Sequence, residues 1–187
     1  LPTVQKKQTQ TNNSWDTLER QMRILDTLTN TKKELEFSEK VRIYLCGVTV
    51  YDQSHIGHAR TIIVFDTLRR FLEANNIPVE FIQNFTDVDD KIINRAKEQG
   101  ESAKGVSTKY IQMYFEDSDR LNIKRATNYP QATEHIEDMI DLIQKLVEEE
   151  SAYVSKNGVY FRVSKFSDYG KLSKKKIEDL ESGARIQ

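Results

Sequence analysis

The chain has 187 residues, with 28 basic and 29 acidic side chains, a formal net charge of −1, three histidines and one cysteine. A single cysteine excludes an internal disulfide and fits a reducing compartment, so the expected location is the cytoplasm, or an organelle if the source is eukaryotic. The near-balance of charge gives no whole-chain argument for nucleic-acid binding, no apolar run approaches the roughly 20 residues that span a bilayer, and no secretory signal is expected.

Residues 1–22 are polar, with Gln5, Lys6, Lys7, Gln8, Thr9, Gln10, Thr11, Asn12 and Asn13 in succession, and are expected to form a mobile tail. From 23 to 125 the pattern is that of half a doubly wound α/β domain. Val41-Arg42-Ile43-Tyr44-Leu45 alternates as a short strand, and Ile62, Ile63, Phe65, Leu68, Phe71 and Leu72 recur at helical spacing between Gly57 and Ala74. Between them runs Cys46-Gly47-Val48-Thr49-Val50-Tyr51-Asp52-Gln53-Ser54-His55-Ile56-Gly57-His58-Ala59-Arg60-Thr61. His55, Gly57 and His58 thus fall at the helix start, where free backbone N–H groups and the positive dipole end favour a phosphate. Gly57, without a Cβ, is expected to let a base or phosphate approach the backbone. Taken singly, a histidine here would be read as a helix cap, and Cys46 as a small buried hydrophobe.

A second strand-like run, Val79 to Ile82, leads into Gln83-Asn84-Phe85-Thr86-Asp87-Val88-Asp89-Asp90-Lys91-Ile92-Ile93. Ligands of open parallel sheets sit at the carboxyl ends of strands, so both clusters can face one crevice. Asp87, Asp89 and Asp90 are expected to serve the turn and cap of a helix starting near Lys91 rather than a hard cation. A further helix passes through Tyr110, Met113, Tyr114 and Leu121, its aromatics facing the core.

Residues 126–187 read as the start of an inserted α+β region. Asn128-Tyr129-Pro130 is expected to be a turn that launches a helix, whose stripe is Ile136, Met139, Ile140, Ile143, Leu146 and Val147 over about 132–149. His135 reads as a structural or surface residue, and Glu148-Glu149-Glu150 as a solvated run. Ala152-Tyr153-Val154 and Val159 to Val163, around Asn157-Gly158, read as a hairpin. Lys174-Lys175-Lys176 reads as an exposed helix start.

The two runs around Cys46 and Asn84 together resemble cysteinyl-tRNA synthetases of class I. The strand-plus-Cys-Gly-x-Thr-Val-Tyr-Asp segment, the His-Ile-Gly-His motif and the Asn-x-Thr-Asp-x-Asp-Asp-Lys-Ile-Ile segment all match. So do a blurred opening segment around Thr27 to Thr31, Pro130-x-Ala132-Thr133-x-His135-Ile136, Ala152-Tyr153-Val154, Tyr169-Gly170-x-Leu172-Ser173 and Gly183-Ala184-Arg185. The resemblance covers roughly residues 23–187. It implies the first half of a Rossmann-like doubly wound parallel sheet, then part of a connective region.

The resemblance also implies a chemistry: ATP, with Mg2+, activates L-cysteine to cysteinyl adenylate, and the cysteinyl group passes to tRNA(Cys). It makes His55 and His58 the catalytic and ATP-phosphate residues, Gly57 an ATP-binding residue, and Cys46 a ligand of a zinc ion that takes the substrate thiolate. A soft thiolate binds zinc where a serine hydroxyl does not, which gives a selectivity that a small apolar pocket lacks. Gly47, Val48, Thr49, Thr61, Asn84, Phe85 and Thr86 match positions lining the cysteine or adenylate site.

In the family the other zinc ligands (a Cys, a His and an acidic residue) and the Lys-Met-Ser-Lys-Ser loop come from a second catalytic half. Lys171-Leu172-Ser173-Lys174-Lys175 is not that loop, because its flanking motifs belong to the connective region. The chain is therefore expected to be an amino-terminal portion with little aminoacylation activity alone. Two alternatives share its motifs: a ligase joining cysteine to an amino sugar, and a non-catalytic interaction module.

Overall fold

The computed structural model describes residues 22–35 and 39–176. Most of the expected tail and the Gly183-Ala184-Arg185 match lie outside the described residues. A hairpin comes first, β1 (Arg23–Asp26) paired antiparallel with β2 (Thr31–Glu34). Asp26 ties its turn by accepting from the Leu28 N–H and the Thr29 hydroxyl, and Asn30 takes the left-handed conformation at φ 56°. Asparagine tolerates that region better than most side chains.

The central unit is β3 (Val41–Thr49), α1 (Ile56–Ala74) and β4 (Val79–Thr86), with the two strands parallel. Strand alternation turns Leu45, Phe81 and Phe85 to one face, where they pack with Ile62, Ile92, Val106, Tyr110 and Tyr114. Those partners come from α1, α2 (Asp90–Gln99) and α3 (Ala103–Arg120). Asp89 caps α2 by accepting from Lys91 N–H at 2.9 Å, and Gly100 closes it in the left-handed conformation. Ser102 caps α3.

The stretch after α3 is tied to α1. The buried Asp66 carboxylate accepts from Arg70 at 2.6 Å and from the Lys124 N–H at 3.1 Å, while Arg70 also reaches the Asn122 carbonyl. Lys124 and Arg69 both hold Glu73, Lys124 foremost, and keep its carboxyl below the usual range.

Residues 128–131 are extended rather than a turn. They lie parallel to β4, with isolated bridges Ile82 to Asn128 and Phe85 to Gln131. Gln83 and Phe85 donate to the Asn128 and Pro130 carbonyls at 3.1 and 2.9 Å. Pro130 has no N–H to offer, but this ladder needs only its carbonyl. Asp87 then accepts from the Thr133 N–H at 3.0 Å and from the Thr133 hydroxyl, so it anchors the next segment instead of capping α2.

A short 3-10 turn (Ala132–His135) precedes α4 (Ile136–Glu148), which buries none of its residues. Its stripe residues Ile136, Met139, Ile140 and Ile143 are all about 40% exposed. The strands β5 (Ala152–Ser155) and β6 (Gly158–Phe161) form the expected hairpin, with Lys156-Asn157 as the loop and Gly158 opening the second strand. Among the described residues, Lys174 lies in a turn and Lys175 and Lys176 in irregular chain.

Candidate functional site

Two departures from regular structure build the site. The first interrupts β3, where pairing runs from Leu45–Gln83 to Val48–Phe85, so one residue of β3 is extra. Such a bulge re-aims the side chains around it. Gly47 makes it possible, because a Cβ there would lie 1.5 Å from the Asn84 carbonyl oxygen. The Gly47 N–H donates to Asn84 Oδ1 at 2.8 Å, and the Tyr44 hydroxyl donates to the same atom at 3.0 Å. Two donors on one oxygen fix the carboxamide's orientation and turn its NH2 toward Thr86 Oγ1, 3.5 Å away. Cys46, exposed on the bulge, helps line a pocket of about 100 Å3 with Gly47, Val48, His58, Thr61, Ile62 and Gln83.

The second departure is the start of α1. His55 is the N-cap, and its Nδ1 accepts from the Gly57 N–H at 3.1 Å. His58 Nδ1 accepts from the His55 N–H at 3.4 Å, which completes a capping box made of two imidazoles. An accepting Nδ1 carries no proton, so this box holds both rings neutral with the proton on Nε2, on the far side of the ring from the backbone. The rings stack with centroids 3.8 Å apart. Burial, and then the neighbouring His55, push the His58 pKa below its ordinary value.

Beyond the rings lies a polar cleft of about 600 Å3, lined by Thr49, Tyr51, Asp52, Gln53, Ser54, His55, His58 and Lys91. His58 borders both this cleft and the Cys46 pocket. Asp52 is paired with Arg95 at 2.7 Å.

The expected site residues divide by place. Cys46, Gly47, Val48, His58 and Thr61 meet at the small pocket, and Thr49, His55 and His58 at the cleft. The Thr61 hydroxyl donates to the Gly57 carbonyl at 3.1 Å. Thr86 pairs with Thr49 at the strand ends. Asn84 reaches a separate hollow of about 430 Å3, beside Tyr44, Gln131, His135 and Met139. Phe85 departs from the expectation: its ring is 2% exposed and stacks on Tyr129 at 5.3 Å, so strand alternation turns it into the core. At Gly57 a Cβ would meet the His55 ring at 2.8 Å, so the absence of a side chain there also gives the cap its room.

Sequence reasoning missed Gln83, buried under the small pocket and accepting from the Tyr114 hydroxyl at 2.7 Å. Burial pushes the Tyr114 hydroxyl up to about 12, so it stays a donor. The available signal was a polar residue at an inward position of a strand. Lys91 and the Asp52–Arg95 pair were missed as well.

A tetrahedral zinc site takes four donors. Among the described residues no group of three or more His, Cys, Asp or Glu side chains converges. Cys46 offers one thiolate, and His58, its neighbour in the pocket, has Nδ1 engaged in the cap. The described residues therefore do not fit a complete zinc site.

The family model described as tRNA synthetases class I (C) catalytic domain matches residues 32–187. The chain belongs to that family. Its relatives include cysteine–tRNA ligases of Caldicellulosiruptor saccharolyticus, 56% identical over 88% of this chain and 36% of the relative, and of Clostridioides difficile, 53% identical over 89% and 36%. The cysteine–tRNA ligase of Thermococcus kodakarensis is 52% identical over 89% of this chain and 35% of its own length. The chain thus spans about a third of the curated relatives it matches. Among solved structures, the Mycobacterium tuberculosis methionyl-tRNA synthetase in complex with methionyl-adenylate superposes with a TM-score of 0.53 at 20% identity, covering 60% of this chain and 23% of that one. That likeness supports the α/β fold alone. No described helix is long and apolar enough to cross a membrane.

Proposed function

We propose that this chain carries the nucleotide cleft and one wall of the amino-acid pocket of a cytoplasmic cysteine–tRNA ligase. The observation that carries the reading is His58, one imidazole bordering both a small pocket headed by Cys46 and a polar cleft opening at a helix N-terminus. Adenylate formation needs the amino-acid carboxylate beside the α-phosphate, and two adjoining hollows give that proximity. The carboxylate oxygen attacks the α-phosphorus of ATP, that bond forms, the bridging P–O bond breaks, and pyrophosphate leaves. A hydroxyl of the terminal ribose of tRNA(Cys) then attacks the carbonyl carbon of the adenylate, the bond to the phosphate breaks, and AMP leaves.

In this reading the Nε2–H donors of His55 and His58 stabilise charge on the phosphoryl oxygens, and being neutral they require no proton transfer. The bulge at Gly47 sets the pocket wall, with Val48 and Thr61 beside it. Asn84, its oxygen engaged by Tyr44 and Gly47 and its NH2 turned toward Thr86, has a second N–H to donate to a ligand near Thr86 and Thr49. Mg2+ accompanies ATP as substrate. Cys46 would supply one ligand to zinc, with the remaining donors outside the described residues.

Calorimetric titration of the chain with ATP tests the reading. ATP is expected to bind, and His58→Ala to weaken it by about tenfold, the worth of a hydrogen bond to a charged group. Absence of ATP binding, or equal binding by the variant, would overturn it.

A further inference from the structure

Lys91 is an exposed cation at a helix end that does not favour one. It occupies the first turn of α2, where the helix dipole opposes a cation. Asp89, two residues earlier, is turned to cap the helix, and Asp90 is exposed and does not line the cleft. Arg95, one turn on, is paired with Asp52 at 2.7 Å and approaches Glu98 at 3.6 Å, whereas Lys91 makes no ion pair among the described residues. Instead its ammonium lies 5.1 Å from the centre of the Tyr51 ring, in the wall of the polar cleft.

The charges of that cleft can be summed. Asp52 is the one acid in its lining, and it is paired with Arg95, which also approaches Glu98. The accepting Nδ1 atoms of His55 and His58 keep both rings uncharged. Lys91 is the one lysine or arginine in that lining and forms no ion pair among the described residues, held by an aromatic face that restrains it without neutralising it. A cleft with two N–H donors and one such cation is complementary to a polyanion.

We propose that Lys91 is the polyphosphate-binding cation of this cleft, contacting the phosphates of a nucleoside triphosphate or the pyrophosphate released from it. The inference rests on the ATP reading above and extends it to a residue in the second cluster. Lys91 acts as a point charge, so arginine can replace much of its function and glutamine cannot.

Calorimetry with ATP, inorganic pyrophosphate and adenosine as separate probes, on the whole chain and on Lys91→Gln and Lys91→Arg, tests it. Lys91→Gln is expected to weaken ATP about tenfold and leave adenosine unchanged, with Lys91→Arg retaining most of the affinity. Added salt is expected to narrow the gap. Pyrophosphate weakened alongside ATP places the contact on the terminal phosphates, and pyrophosphate unaffected places it on the α-phosphate. Wild-type binding of ATP with Lys91→Gln unchanged would overturn this inference alone. Equal weakening of adenosine would make Lys91 a support for the cleft's shape and also overturn it. Failure of the wild-type chain to bind either ATP or pyrophosphate would instead remove the nucleotide reading and this inference with it.

Discussion

Residues 41–123 and residues 136–161 use apolar side chains in opposite ways. In the first region every helix finds a partner, and all the buried hydrophobic residues of the described chain except Ala152 lie between Leu45 and Ile123. In the second, α4 has the more regular apolar stripe and buries none of it. Periodicity thus states which face of a helix is apolar, and only a partner decides whether that face becomes core. The site lies entirely on the packed region, where bulge and helix cap can be held to fractions of an ångström.

The widest contrast should come from Gly47→Ala, which drives a Cβ into the Asn84 carbonyl. It is expected to lower unfolding free energy by about 4 kcal/mol or more, a size kept for forced backbone strain; denaturant titration measures it. Next, Leu72→Ala, at a fully buried position, should cost about 2–5 kcal/mol, whereas Ile143→Ala in α4 should stay within about 0.5. Similar losses at the two sites would erase the contrast.

The joint between the regions can be cut separately. Asp87→Ala removes both bonds to Thr133 and should cost about 1–3 kcal/mol. Amide exchange is expected to quicken in 132–148 and not in β3. If exchange quickens equally throughout, Asp87 belongs to the central core rather than to a link.

The smallest effect is a pH dependence. His58 has a folded pKa below its ordinary 6.5, so below that value the unfolded chain binds more protons. Stability from this group is therefore complete above about pH 6.5 and declines as pH falls toward the folded pKa. Melting curves should show a shallow decline there that His58→Gln flattens. Glu73, held down by Lys124, contributes a separate loss at more acidic pH, as the pH falls below its ordinary 4.5.

Much of this was legible in the sequence. The strands at Val41 and Val79, the helix carrying Ile62 and Leu72, and the approach of the Cys46 and His58 segments follow from alternation, helical spacing and the family motifs. What was not legible depends on tertiary pairing. Residues 128–131 carry no period-2 signal and contain a proline, yet β4 recruits their carbonyls. Asp87 and Asp89 are acids two residues apart in one connection, but only their surroundings separate an anchor for Thr133 from a cap for α2. That the bare Gly57 position also makes room for the His55 ring depends on the cap folding over it.

The central claim is that His58 stands between an amino-acid pocket and a nucleotide cleft. Imidazole carbon-bound proton resonances of the three histidines, followed by NMR during titration, test it most directly. ATP is expected to shift His55 and His58, cysteine to shift His58 with little effect on His55, and exposed His135 to stay still. Movement of His135 alone, or no response of His58 to either ligand, would contradict the account.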